Sequence, residues 1–228
     1  MERKTMVRAV IFDMDGTMID TERVSAVLWE KAGEEFGYRI GEEILCRLRG
    51  TSRDEGRQAM LSYFGAEFPF DQVRARQREM FNARLKQEGI PVKEGLEELL
   101  EDLKDHGCRI MLGTATATPR VNWYMEELGI GGYFDGMICG DMVAKCKPDP
   151  EIFLTAAEFL HLRPSECMVI EDSFNGIRAA YAGGFLPVMV PDLAEPTPEI
   201  ESMLYAKCDT LLDVKKLLDR MWKDGLQE

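Results

Sequence analysis

Two aspartates, Asp13 and Asp15, follow directly on the apolar run Val7–Phe12 and lead into Gly16-Thr17. Two positions apart on an extended chain, their carboxylates can face the same way. Such a pair can divide labour, one ionised as nucleophile or metal ligand, the other a general acid. An Asx turn closed by Gly16 suits the same residues, so the pair alone leaves both readings open. Thr114, in Leu112-Gly113-Thr114-Ala115-Thr116, ends a second apolar run just before a helical segment. A hydroxyl there, with backbone N–H groups such as that of Ala115, makes a phosphate cradle; a plain helix N-cap is the competing reading. Lys147 lies in Lys145-Cys146-Lys147-Pro148-Asp149-Pro150. Its ammonium can neutralise both a carboxylate and a phosphate, whereas Lys145 reads as a solvated surface lysine. Glu171-Asp172-Ser173 follows the apolar Met168–Ile170. With Asp13 these carboxylates supply hard oxygen ligands of the kind Mg²⁺ takes, although Asp172 or Ser173 also suits a helix cap.

These residues need a scaffold that brings strand ends together. Val7–Phe12, Arg109–Gly113, Gly136–Cys139, Cys167–Ile170 and Leu186–Val190 are short apolar runs bounded by Gly, Asp or Pro, the pattern of strands covered on both faces. Helix-period segments at Gly95–Asp105, Pro119–Leu128, Pro150–Leu160 and Asn175–Ala182 lie between the later ones. Strands alternating with helices predict a parallel sheet. In open sheets of this kind ligands bind outside the carboxyl ends of the strands. One interval breaks the rhythm. Roughly a hundred residues separate Phe12 from Arg109, where a crossover of about 30 would serve. The stretch is helical in pattern at Arg23–Phe36, Arg53–Phe64 and Phe70–Gln87, with Gly37, Gly50 and Gly65 as punctuation. The expectation is an α/β fold: a Rossmann-like, doubly wound parallel-sheet core from residues 1–19 and 90–228, with an all-helical cap inserted at residues 20–89.

Asp13-x-Asp15-Gly16-Thr17, Thr114, Lys147 and Glu171-Asp172, in this order at four strand ends, resemble the four motifs of the haloacid dehalogenase-like hydrolases. The run Asp13–Glu22, the Lys147–Pro150 segment and Glu171–Ala180 are similar to the β-phosphoglucomutase-like, phosphatase-rich branch. The resemblance spans essentially the whole chain, and the inserted helices match that family's cap. It implies that Asp13 attacks phosphorus to form an aspartyl phosphate. Asp15 would protonate the leaving alkoxide and then deprotonate the hydrolytic water. Mg²⁺ would sit on the Asp13 carboxylate, the Asp15 carbonyl and Asp172, with Glu171 a ligand or just behind one. Thr114 and the Ala115 N–H would hold phosphate oxygens, with Lys147 balancing charge. In the cap, Arg49, Gly50 and Arg53 occupy the loop that related caps close over the substrate.

The resemblance therefore implies a Mg²⁺-dependent phosphatase of a small phosphorylated metabolite, a sugar phosphate in the leading reading, and a monomer. The alternative is a sugar-phosphate mutase. Mutase members carry a His four residues after the Thr at position 21, and here Ser25 stands there, which favours hydrolysis. A phosphorylated receiver-like signalling module would need neither the insertion nor a proton donor at Asp15.

Composition narrows the partners. Lys+Arg 28 against Asp+Glu 41 gives a formal charge of −13, a field that repels nucleic acid and anionic membranes alike. The six cysteines lack a CxxC spacing and are expected to be mostly reduced and buried, in a cytoplasmic protein. No stretch approaches a membrane span. His106 and His161 read as helix-end residues, and Trp29, Trp123 and Trp222 as packing on helix faces.

Overall fold

The computed structural model describes residues 7–48, 51 and 53–225. Six parallel strands form one sheet: β1 (Ala9–Phe12), β2 (Arg109–Gly113), β3 (Gly136–Ile138), β4 (Cys167–Glu171), β5 (Leu186–Met189) and β6 (Ala206–Lys207), in the order β3-β2-β1-β4-β5-β6. β1 lies at the centre, its register pairing Ala9 with both Arg109 and Cys167 and Phe12 with both Leu112 and Ile170. All four of its side chains are buried, as a central strand covered on both faces requires. This is the doubly wound topology. The order runs outward from β1 in one direction through β2 and β3 and in the other through β4, so the switch point falls between the carboxyl ends of β1 and β4.

Helices α5 (Leu96–Asp105), α6 (Thr118–Leu128), α7 (Glu151–Phe159), α8 (Phe174–Ala182), α9 (Pro198–Glu201) and α10 (Leu211–Gly225) belong to the same unit. α5 shows why. Leu96, Leu99, Leu100 and Leu103 recur at helical spacing and are all buried, with Glu97 and Glu98 in the first turn and Lys104 in the last, matching the helix dipole. α6 opens with Pro119 in its first turn and ends at left-handed Gly129. Beneath α7 and α8, Ile11, Met111, Phe153, Val169 and Ala180 form one continuous core.

Residues Asp20–Pro91 form a second compact unit. It holds α1 (Thr21–Glu35), the single-turn α2 (Glu42–Leu45), α3 (Arg53–Phe64) and α4 (Phe70–Glu88). α1 packs on α4, and Ala32, Ile40, Ile44, Met60, Phe68 and Val73 make its own core. Trp29 stacks on Phe70 at 6.2 Å, a packing role in keeping with its helix face. At the other junction the cut falls after Pro91, two residues beyond the predicted 89.

Three further elements, the two-residue β6 and the single-turn α2 and α9, are too short to show a periodic pattern and have no long apolar run to mark them. The six cysteines are all free thiols; Cys108, Cys139, Cys167 and Cys208 are buried, while Cys46 and Cys146 are exposed. Among the described residues no helix is long and apolar enough to cross a membrane.

Candidate active site

The chain leaves β1 into a tight turn, with Met18 N–H donating to Met14 O and Gly16 N–H to Ile19 O. Gly16 takes φ +91°, and a Cβ there would stand 2.3 Å from Asp172 Oδ2. The glycine is thus required twice, by the backbone conformation and by the approach of the β4 end. Next to it Thr17, fully buried, donates its hydroxyl to Asp172 Oδ1 at 3.2 Å. The turn after β1 and the end of β4 are therefore locked together at the switch point.

Lys147 enters between them. Its side chain is buried, and Nζ donates to Asp13 Oδ1 at 2.5 Å and Glu171 Oε1 at 2.7 Å, with the Phe153 ring 4.7 Å away. Burial disfavours the ammonium, yet Asp13 and Glu171 together outweigh it and hold the lysine above its ordinary range. The surface-lysine reading holds for Lys145, which is exposed and pairs with Asp149 at 3.2 Å. The Asx-turn alternative for Asp13 yields to this buried ion pair. Burial pushes the Asp13 carboxyl up, to about 8, with Glu171 and Asp15 acting in the same sense and Lys147 opposing.

Glu171 is fully engaged by the protein. One oxygen takes Lys147, and the other accepts the Ser173 N–H at 2.8 Å and the Ser173 hydroxyl at 2.9 Å. Gly176 makes room for it, since a Cβ there would fall 1.7 Å from Glu171 Oε1. Ser173, and not Asp172, caps α8, its hydroxyl accepting from Gly176 N–H at 3.1 Å.

At the end of β2, Thr114 is buried and its hydroxyl accepts the Thr116 N–H at 3.1 Å. It is not the cap of α6: the helix starts at Thr118, whose N–H and hydroxyl both donate to Asp141. Thr116 in turn donates to Asp15 Oδ2 at 2.6 Å. The β2 loop thereby reaches the aspartate pair.

Asp13, Glu171 and Asp172 each offer an oxygen, and these atoms lie within 4.8 Å of one another. The donor set is all carboxylate, suited to a hard divalent cation. Lys147 meets two of these carboxylates, Asp13 and Glu171, and Asp172 adds a third acidic oxygen beside them, a concentration of negative charge that a divalent cation offsets. The residues fit a metal.

Motif reading quotes Thr17 and Thr116 without giving them a role and names Ser173 only as a helix cap, which it is. Thr17 and Ser173 flank singled-out carboxylates and Thr116 lies two residues beyond Thr114, so each stands beside a position the motifs mark. In the helical unit, Arg53 opens α3 and pairs with Asp71 at 2.7 Å, holding that carboxyl below its ordinary range. Arg49 and Gly50 lie outside the described residues.

A profile of haloacid dehalogenase-like hydrolases matches residues 7–184. A phosphorylated carbohydrates phosphatase of Thermotoga maritima is 32% identical over 178 residues, covering 78% of this chain and 82% of that protein. The β-phosphoglucomutase of Bacillus subtilis is 31% identical over 192 residues, covering 81% and 83%. Among solved structures, CbbY from Rhodobacter sphaeroides in complex with phosphate matches with a TM-score of 0.74 at 26% identity, over 92% of this chain and 96% of that one. Four motifs meeting at one switch point, and a profile match over most of the length, lead to one conclusion: the chain belongs to the haloacid dehalogenase-like hydrolase family.

Proposed function

We propose that the protein is a Mg²⁺-dependent phosphatase that hydrolyses a small phosphorylated metabolite, a sugar phosphate, through an aspartyl phosphate on Asp13. The observation that carries this reading is Lys147 bridging Asp13 and Glu171 beside Asp172. This is a buried carboxylate with a fixed counter-charge, placed where an anionic ester meets the strand ends. Relatives whose names state phosphatase activity on phosphorylated carbohydrates and fructose 1-phosphate support the substrate class.

Each residue then has a task. Asp13 attacks phosphorus, and the Lys147 ammonium holds the attacking carboxylate in place and offsets the phosphate charge. Thr114 and the Ala115 N–H bind the phosphoryl oxygens. Asp15, oriented by the Thr116 hydroxyl, gives a proton to the departing alkoxide and later takes one from water. Asp13 and Asp172, with the Asp15 carbonyl, would hold Mg²⁺. When bound, the ion neutralises the excess carboxylate charge and the developing charge on phosphate. Glu171, with both oxygens occupied, serves by positioning Lys147. Arg53 and the neighbouring Arg49 and Gly50 contribute to substrate choice.

The mutase reading is weaker at one identifiable place. Ser25, standing where related mutases carry a histidine, accepts a hydrogen bond from the buried Gln77 at 3.1 Å inside the helical unit. Its hydroxyl cannot supply imidazole chemistry.

A panel of sugar and polyol phosphates assayed for inorganic phosphate is expected to give turnover with Mg²⁺, loss on chelation, and recovery on re-addition. Turnover that needs a bisphosphate activator and releases no phosphate would establish the mutase instead. Asp15→Asn is expected to lower turnover roughly 10²–10⁴-fold, the usual contribution of a positioned acid–base group, with the deficit largest for substrates with poor leaving groups. Undiminished turnover in that variant removes Asp15 from the chemistry.

A further inference from the structure

At the opposite end of the sheet from Asp13 lies a cavity of about 450 Å³, whose lining includes Arg8, His106, Arg109, Leu160, Leu162 and Trp222. It sits at the amino ends of β1 and β2. The rise of a strand puts Arg8 and Asp13 roughly 16 Å apart, so the cavity is separate from the catalytic residues. Its volume is that of a small-molecule site.

Its lining is anomalous for a chain of charge −13. Two arginines and a histidine line it, and among the described residues no carboxylate does. The acids that pair with these arginines do not reach the lining: Glu166 holds Arg8 at 3.1 Å and Asp135 holds Arg109 at 2.8 Å. Each guanidinium presents five N–H donors, more than one carboxylate oxygen takes up. Beside them the His106 and Trp222 rings stack at 4.2 Å and 20°. Trp222 Nε1 donates to Val7 O at 3.4 Å, which fixes the indole. Leu160, Leu162 and Val7 supply apolar wall. Trp222 thus packs as its helix face predicts, and it also lines the cavity beside two guanidiniums that their carboxylate partners hold in place.

We propose that this cavity binds a small ligand carrying a flat heteroaromatic ring and a phosphate, of the nucleoside-monophosphate class. The ring lies against the His106–Trp222 pair and the phosphate against the forks of Arg8 and Arg109. Planar guanidinium donors and a stacked aromatic platform match these two parts of one molecule.

Calorimetric titration of the full chain with AMP, GMP, CMP and UMP, in the presence of chelator so that no turnover occurs, tests it. The expected result is one saturable site per chain for at least one nucleotide, with inorganic phosphate alone binding at least about tenfold more weakly. Arg8→Gln combined with Arg109→Gln weakens the nucleotide about tenfold or more while phosphatase turnover stays unchanged. Trp222→Leu loses binding and Trp222→Phe, which keeps a ring, retains it. Should the tryptophan variants fail to fold, the arginine pair decides. No saturable heat with any of the four nucleotides overturns the proposal. So does binding that survives the double arginine substitution, because the nucleotide then occupies another site.

Discussion

Asp13→Asn is expected to lower turnover by roughly 10⁴-fold or more, the scale on which removal of a nucleophile acts in hydrolases, while leaving the fold intact. The two halves of this expectation come from the same geometry. An amide cannot form the acyl phosphate, so the first step of the proposed mechanism is lost. The amide oxygen nevertheless still accepts the Lys147 bond now made to Asp13 Oδ1. Glu171 remains as counter-charge to the ammonium at 2.7 Å, and a carboxylate whose charge burial disfavours is gone. The thermal midpoint should therefore be unchanged or raised. Acid-quenched enzyme exposed to labelled substrate should carry label on the native chain and none on the variant. Turnover above about one per cent of native, or label retained on the variant, assigns the nucleophile to another residue.

The strand ends were legible because a central parallel strand is apolar along its length and that run breaks where it reaches the charged site. Phe12-Asp13 and Ile170-Glu171 mark that change within a single residue. The inserted helical unit was legible because its length exceeds any crossover. What the sequence left open was the partner of each lysine, although it already set Lys147 apart from the surface Lys145. Lys145 and Lys147 share one short segment and one residue type, and only the fold turns one toward Asp13 and Glu171 and the other toward Asp149. Glu171 was ambiguous for a similar reason. A carboxylate at a strand end can ligate a metal or brace a neighbour, and the choice depends on Ser173 and Gly176 behind it. β6 escaped because two residues carry no periodicity. The pairing of Arg53 with Asp71 spans 18 positions, which helical spacing does not reach.

Lys147→Met tests the electrostatic design directly. The substitution keeps an unbranched apolar stem beside Phe153 but removes the cation that, among the described residues, pairs with Asp13 and Glu171, which are 7% and 1% exposed. Leaving buried charge without its partner costs about 3–5 kcal/mol, and turnover falls with it because the nucleophile loses its anchor. The pH dependence identifies the cause. Asp13 already sits above its ordinary 3.8, at about 8, chiefly through burial, and loss of the ammonium raises it further. A carboxyl whose folded-state pKa exceeds the unfolded one stabilises fully below the ordinary carboxylate range, and that stability is lost as pH rises through the folded value. The metal-free native protein should accordingly weaken between about pH 4 and pH 8, and the variant over an interval that reaches further up in pH. Groups such as Glu166, whose carboxyl is held at about 2 by Arg163 and Arg8, act in the opposite sense but below that window. Added Mg²⁺ should flatten both profiles, since a divalent charge on Asp13 and Asp172 replaces what protonation otherwise supplies. Denaturation midpoints of both proteins across this range, with and without the ion, give the comparison. A variant as stable as the native chain at neutral pH, with a flat profile, would show that the buried ammonium does not hold these carboxylates.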